Sequence, residues 1–314
     1  YRLTNGTKSQ QLIFTKKLKE NFSKTGFFIL ENHPIAHHLL TDIRPLLEKF
    51  FKKVSTETKL KNYDYSKFGG NKGYTPPSIE TGEYAKIPDL KHFFQITGDR
   101  SEFGSMDEVP GLKDAMYNLY DAFFNLYSQL MCFTALTLSK PYHYFTHELG
   151  CNIMRFIHYP AHENIIADDD QVTHTEGGNA LGMCASQHTD IDDLTLLYAT
   201  EKGLQLLHEG KWVPVTCEPG TMIINIGDML KHLTAGFYKS GIHKVVCEKN
   251  MERFSIPFFG HRVYSANLKP IVKPTKTNGE YSKIYKSSKI PDGFPYQTEG
   301  EYLNVRLKQI GLIK

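Results

Sequence analysis

The sequence predicts a mainly β core, a barrel or jelly roll, flanked by helices. Three observations predict it. After Gly150, short runs of strand length recur at regular intervals, separated by turn signals such as Glu209-Gly210 and Pro219-Gly220. Before Gly150, long segments carry apolar residues at helical spacing. The last residues, about 298–311, return to an amphipathic helical pattern.

In chain order, a helix is expected over 8–24, where Leu12, Ile13, Leu18 and Phe22 are apolar among lysines, and Gly26 stops it. Phe27-Phe28-Ile29-Leu30 is a short apolar run of strand length, ended by Asn32-His33-Pro34. A second helix is expected over 35–53, with Pro45 kinking it or marking a new start. Residues 62–88 hold many glycines and prolines and read as a long irregular loop. Leu90 to Ile96 reads as a strand, and a long helix follows over 111–139. Asn152 to His158 is the next strand, closed by Tyr159-Pro160, and 161–185 reads as a polar loop. Strands are then expected over 194–198, 204–207, 212–215, 221–226, 243–247 and 253–259. The organisation expected is an N-terminal helical and α+β region over 1–149 packed on a β core at 150–262, with a C-terminal tail and helix over 263–314.

Composition sets bounds on function. The chain has 314 residues, enough for one large domain or two ordinary ones. Charged residues at 23% and hydrophobic residues at 40% exclude disorder, collagen and coiled coil as global descriptions. The formal charge of +3 is too small to argue for nucleic acid or anionic lipid. No apolar run approaches the ~18–20 residues of a membrane span. The five cysteines are widely spaced with no CxxC pair, so reduced thiols and a cytoplasmic location are expected.

His188-Thr189-Asp190 is the first chemical feature. In extended backbone, residues i and i+2 point the same way, so both side chains reach one metal ion. HxD alone is common by chance, and a single histidine is usually a satisfied core or surface residue. The third ligand must come from elsewhere, and His243, opening a later strand, supplies it. Two histidines and a carboxylate on one face of a metal form the facial triad of non-haem Fe(II) oxygenases, which leaves positions open for substrate and O2. Arg253 and Ser255 follow ten residues after His243 and share a strand face. A guanidinium beside a hydroxyl is a carboxylate receptor. The ordered conjunction carries the argument: HxD, 52 intervening residues, His, then RxS.

With these residues in place, the chain resembles the 2-oxoglutarate- and Fe(II)-dependent oxygenases of the isopenicillin N synthase-like group. The similarity runs through Gly26-Phe27-Phe28-Ile29-Leu30-Glu31-Asn32-His33, Gly203-Leu204-Gln205 and Gly210-Lys211-Trp212-Val213-Pro214-Val215. It continues in Asn225-Ile226-Gly227-Asp228-Met229-Leu230, Leu233-Thr234-Ala235-Gly236 and Gly300-Glu301-Tyr302-Leu303. The resemblance implies a double-stranded β-helix (jelly-roll) core and a dioxygenase that decarboxylates 2-oxoglutarate to succinate while oxidising a small molecule. It implies Fe(II) held by His188, Asp190 and His243, the far carboxylate of 2-oxoglutarate held by Arg253 and Ser255, and O2 as the second co-substrate. Tyr159 matches a tyrosine that often helps to hold 2-oxoglutarate.

Two departures stand out. Many plant members carry Asn-Tyr-Tyr-Pro where this chain has Ile157-His158-Tyr159-Pro160, and Asp192 stands where a glycine is frequent. The loops at 62–88 and 161–185 are candidate lids, and Tyr74, Phe93 and Phe258 candidate pocket residues. Arg155, His158, His174 and the acidic run Asp168-Asp169-Asp170 lie near them in sequence, the acidic run reading as a solvated loop. The alternatives are a 2-oxoglutarate-independent Fe(II) oxidase or cyclase, in which the RxS pair grips a substrate carboxylate, a jelly-roll binding protein with a structural metal, and a zinc hydrolase, for which no HExxH motif exists. Neither the substrate nor the oligomeric state is legible.

Overall fold

A computed structural model describes residues 6–81, 88–101, 103–161, 173–174, 180–199, 201–215, 218, 220–248, 250–272 and 297–313. The chain opens with α1 (Lys8–Lys24), started by a capping box in which Thr7 and Gln10 exchange hydrogen bonds. Gly26 stops it with φ +74, and a Cβ there would lie 2.0 Å from the Lys239 carbonyl oxygen. The buried stripe of α1 is Phe14, Leu18 and Phe22, at i, i+4 and i+8. Leu12 and Ile13, expected on that face, are exposed.

The expected helix at 35–53 is two helices, α2 (His37–Thr41) and α3 (Ile43–Lys53). Pro45 sits in the first turn of α3, where its missing N–H breaks no intrahelical bond. The stretch 62–88 is less irregular than its composition suggests. It begins inside α4 (Thr56–Tyr63), whose first turn is capped by Ser55, and includes a 3-10 turn at Tyr65–Phe68.

Long helix α5 (Leu112–Thr137) lies behind a seven-stranded antiparallel sheet. The strands are β1 (Phe27–Glu31), β2 (Gly73–Thr75), β3 (His92–Ile96), β4 (Ile153–Tyr159), β7 (Leu194–Ala199), β10 (Thr221–Ile226) and β12 (Arg253–Gly260). Their order is β1-β10-β7-β12-β4-β3-β2. Three of these strands precede residue 150, so the N-terminal region supplies part of the main sheet. A five-stranded sheet faces it, in the order β5-β6-β11-β8-β9, from β5 (Thr173–His174), β6 (Ala180–His188), β8 (Leu204–His208), β9 (Lys211–Pro214) and β11 (His243–Glu248). The strand β6 replaces the end of the polar loop expected at 161–185. The acidic run 168–170 lies outside the described residues.

Strand alternation decides which side chains reach the interior. On β12, Arg253, Ser255, Pro257 and Phe259 border a cavity between the sheets. Phe258 has the opposite parity and packs on Tyr120, Phe123 and Tyr127 of α5, so it is core and not a pocket residue. Tyr74 is likewise turned away from the cavity: it is fully buried and meets His92, with its hydroxyl 2.9 Å from His92 Nδ1. Phe93 does face inward, where it serves as a platform for the Arg155 guanidinium 4.0 Å from its ring centre.

A short helix α6 (Asp228–Leu233) follows β10, and the C-terminal helix α7 (Glu299–Gln309) closes the chain. Thr298 and Glu301 form its capping box. Glu299 pairs with buried Arg262 at 2.7 Å, and Arg262 also meets Asp193 and Glu148, which fastens the start of α7 to the sheet. Cys132 and Cys151 are free thiols, whereas Cys184 is disulfide-bonded, contrary to the expectation of reduced thiols throughout. Among the described residues, no helix is long and apolar enough to cross a membrane.

Candidate active site

His188 is the last residue of β6 and His243 the first of β11, and the two are register partners in the five-stranded sheet. Their rings are 4.3 Å apart, centre to centre. Asp190 lies two residues past His188, where the chain turns from one sheet to the other. One ligand atom from each of the three comes within 4.8 Å of the others. Asp190 Oδ1 is 3.8 Å from both His188 Nε2 and His243 Nε2.

The surroundings dictate this orientation. His188 Nδ1 is 2.6 Å from the Ser186 carbonyl and His243 Nδ1 is 3.1 Å from the Gly241 carbonyl. A ring nitrogen facing a carbonyl carries the proton, so each Nε2 keeps its lone pair for a metal. Asp190 Oδ2 accepts from Thr195 Oγ1 at 2.6 Å and from Asn225 Nδ2 at 2.7 Å, which leaves Oδ1 turned to the imidazoles. Burial, with His243 alongside, lowers the His188 pKa to about 4, so the ring is neutral. Burial pushes the Asp190 carboxyl up, but both imidazoles and the two hydrogen bonds outweigh it and hold it below its usual range. A neutral His188 ring beside an ionised carboxylate suits a divalent cation. Sequence reasoning found the three ligand candidates and missed Thr195 and Asn225. Asn225 was within reach, since it stands in a stretch with a family resemblance.

The cavity between the sheets, about 530 Å³ with its open mouth, is bordered by the trio and by Tyr159, Arg253 and Ser255. Apolar walls come from Ile157, Leu197, Leu204 and Val245. Arg253 and Ser255 are each 3% exposed. Arg253 is opposite Tyr159 in register, its guanidinium 4.9 Å from that ring centre. Its Nε and Nη1 are buried without a hydrogen-bond partner. An unpaired buried guanidinium is costly, and an incoming carboxylate would satisfy it. The six residues singled out from the sequence therefore border one cavity.

On the other side of the trio a second cleft, about 750 Å³ with its open mouth, runs beneath α7. Leu303, Leu307 and Ile310 form its outer wall. Its inner wall is charged: Lys91 bridges Glu80 and Asp89, both at 2.7 Å, and Arg155 Nη1 donates to both Glu80 oxygens. Burial pushes Glu80 up, but Arg155 and Lys91 outweigh it and bring its pKa down to about 2. His158, adjacent to Tyr159 but on the opposite face of β4, points away from both cavities and bonds His92 and Glu252 at 2.6 Å each. Of His174 only the backbone is described.

Comparison with known proteins agrees with this geometry. Residues 150–262 match the family model of the 2OG-Fe(II) oxygenase superfamily, and residues 2–126 match that of the non-haem dioxygenase in morphine synthesis N-terminal region. A 2-oxoglutarate-dependent dioxygenase of Didymella fabae is 28% identical over 269 residues, 77% of each chain. A homoarginine-6-hydroxylase of Glycine max is 27% identical, covering 84% of this chain and 80% of its own. Among solved structures, a putative 2OG-Fe(II) oxygenase family protein of Caulobacter crescentus is 27% identical with a TM-score of 0.76, covering 96% of both chains. Neurospora crassa T7H, solved with alpha-KG and thymine, shares the fold at a TM-score of 0.78 and 23% identity, over 98% of this chain and 94% of its own. The double-stranded β-helix, the two family matches and the His-Asp-His cluster agree: this chain belongs to the 2-oxoglutarate- and Fe(II)-dependent oxygenase superfamily.

Proposed function

We propose that His188, Asp190 and His243 hold Fe(II), and that Arg253 and Ser255 receive the far carboxylate of 2-oxoglutarate, with Tyr159 packed beside the guanidinium. The enzyme is then a dioxygenase that oxidises a small molecule, most simply by hydroxylation, and converts 2-oxoglutarate to succinate. The observation that carries this reading is the pairing, in one cavity, of the preoriented trio with the unpartnered N–H groups of Arg253. When bound, the iron would supply O2 activation and oxidation of an unactivated C–H bond.

The protein's own part is positioning. Ser186 and Gly241 carbonyls fix the two rings, and Thr195 and Asn225 fix the carboxylate. The apolar wall of the cavity excludes water around the Arg253 contact and so strengthens it. Strands from before residue 150 complete the main sheet, and α7 walls the second cleft. We infer that 1–149, 150–262 and 263–314 fold as one integrated unit with the substrate on the α7 side. The test is stoichiometry: succinate formed per O2 consumed, with and without 2-oxoglutarate. Two curated relatives of 25% identity, from Dictyostelium mucoroides and Dictyostelium discoideum, are named 1-aminocyclopropane-1-carboxylate oxidase. They favour a second reading as a 2-oxoglutarate-independent oxidase, and O2 uptake without any keto-acid requirement would establish it.

A further inference from the structure

The cleft beneath α7 has one strongly polar wall and one apolar wall, and two buried cations on the polar wall have spare donor capacity. Lys91 is 7% exposed and has three donors, of which two are spent on Glu80 and Asp89. Arg155 is 8% exposed; its Nε donates to Gln95 Oε1 at 2.9 Å and its Nη1 to Glu80. Its Nη2 donates to no described residue, although Arg155 borders the cleft. The carboxylates that flank these cations are spent. Both Glu80 oxygens face Arg155 and Lys91, Asp89 Oδ2 faces Lys91, and Asp89 Oδ1 accepts from the backbone N–H and hydroxyl of Ser186. Asp192 and His261 also border the cleft: Asp192 Oδ2 is 2.9 Å from the Thr195 hydroxyl, whose single proton goes to Asp190 at 2.6 Å, and Asp192 Oδ1 and His261 Nδ1 are buried without a hydrogen-bond partner. Gln95 is used twice, by Arg155 and by the Gly70 carbonyl. Beside these, the wall offers the cleft donor capacity on two buried cations, Lys91 and Arg155, and Arg306, bonded to Gln309, stands on the opposite rim.

We propose that Lys91 and Arg155 are the anchor for a carboxylate on the substrate, so that the enzyme oxidises a small organic acid whose apolar body lies against Leu303, Leu307 and Ile310. The proposal rests on the reading of His188, Asp190 and His243 as the iron site. A neutral carbonyl would meet the free donors, whereas a carboxylate adds the attraction of a full opposite charge in a site shielded from water. Glu80, Asp89 and Gln95 are positioning residues: they hold the ammonium and guanidinium in place so that little is spent on ordering them when the acid arrives. Lys91 and Arg155 also border the co-substrate cavity, so service to 2-oxoglutarate is the competing assignment.

The experiment is calorimetric titration, without oxygen, of protein loaded with Fe(II) and 2-oxoglutarate. The probes are acetate, hexanoate and 3-phenylpropanoate, each against its primary amide. At least one acid should bind ten-fold or more tighter than its amide, and Lys91→Gln should abolish that preference while 2-oxoglutarate affinity changes less than three-fold. Because Lys91→Gln strands two buried carboxylates, the double variant Glu80→Gln/Lys91→Gln runs beside it and should lose the preference in the same way. Equal binding of acids and amides, or no binding of either, overturns the proposal while the iron reading stands. A ten-fold loss of 2-oxoglutarate affinity in both Lys91 variants assigns the cations to the co-substrate and overturns it too. Failure of the wild type to take up Fe(II) and 2-oxoglutarate overturns the iron reading and the proposal together.

Discussion

The cavity between the sheets and the cleft beneath α7 share Lys91, Arg155, His188, Asp190 and Phe259, yet they treat their arginines in opposite ways. Arg253, in the first, is buried with two N–H groups unpaired. Arg155, between the two, is clamped by Glu80 and Gln95 and stacked on Phe93. A guanidinium without a protein counterion is a site kept for a ligand that always comes. A guanidinium that brings its own carboxylate holds its geometry whether or not a ligand is present. The difference separates binding from folding: one arginine should matter to the ligand, the other first to the protein.

The largest effect tests what the two cavities share. His188→Ala or Asp190→Ala should abolish iron-dependent turnover and leave the fold intact, checked by metal analysis beside succinate release. Next comes the contrast itself. Arg155→Met leaves Glu80 buried with half its partners and should cost about 3–5 kcal/mol in denaturant unfolding. Arg253→Met removes an unpaired buried cation, so the ligand-free protein should be as stable as wild type or more so, while its 2-oxoglutarate requirement rises roughly 10- to 100-fold. Equal destabilisation by both arginine variants would break the comparison. Smaller still, Asn225→Ala removes one of the two bonds that turn Asp190 and should weaken Fe(II) binding by about 10- to 100-fold.

The effect that is smallest near neutral pH concerns the outer face of β3 and β4, where His92 and His158 share a buried 2.6 Å hydrogen bond. Burial, with His158 nearby, lowers the His92 pKa from 6.5 to about 3. The unfolded chain therefore takes up a proton below pH 6.5 that the folded chain refuses until about pH 3, and stability falls as the pH drops through that window. His92→Gln should flatten this part of the melting-temperature profile.

How far these features could be read in advance depended on whether they are local. HxD, His and RxS were legible because strand alternation fixes which side chains share a face, and short ordered motifs record it. The same rule, applied from Arg253, puts Phe258 on the far side of β12, so that pocket expectation conflicted with information already in the sequence. Leu12 and Ile13 were misplaced because an apolar residue on a helix does not say where the neighbouring layer lies. β6 was hidden in a polar, glycine-rich stretch whose strand character comes from pairing with β11. Thr195 and Asn225 act across sheets, and Glu80 reaches Arg155 from 75 positions away. Such contacts are products of the tertiary register and leave no local pattern.

The most direct test of the central claim is the oxygen-free visible absorption of the Fe(II)-loaded protein during titration with 2-oxoglutarate. The account predicts a charge-transfer band that saturates at one iron per chain, is absent in His188→Ala, and needs more 2-oxoglutarate in Arg253→Met. No band in the wild type, or an unchanged band in His188→Ala, would contradict it.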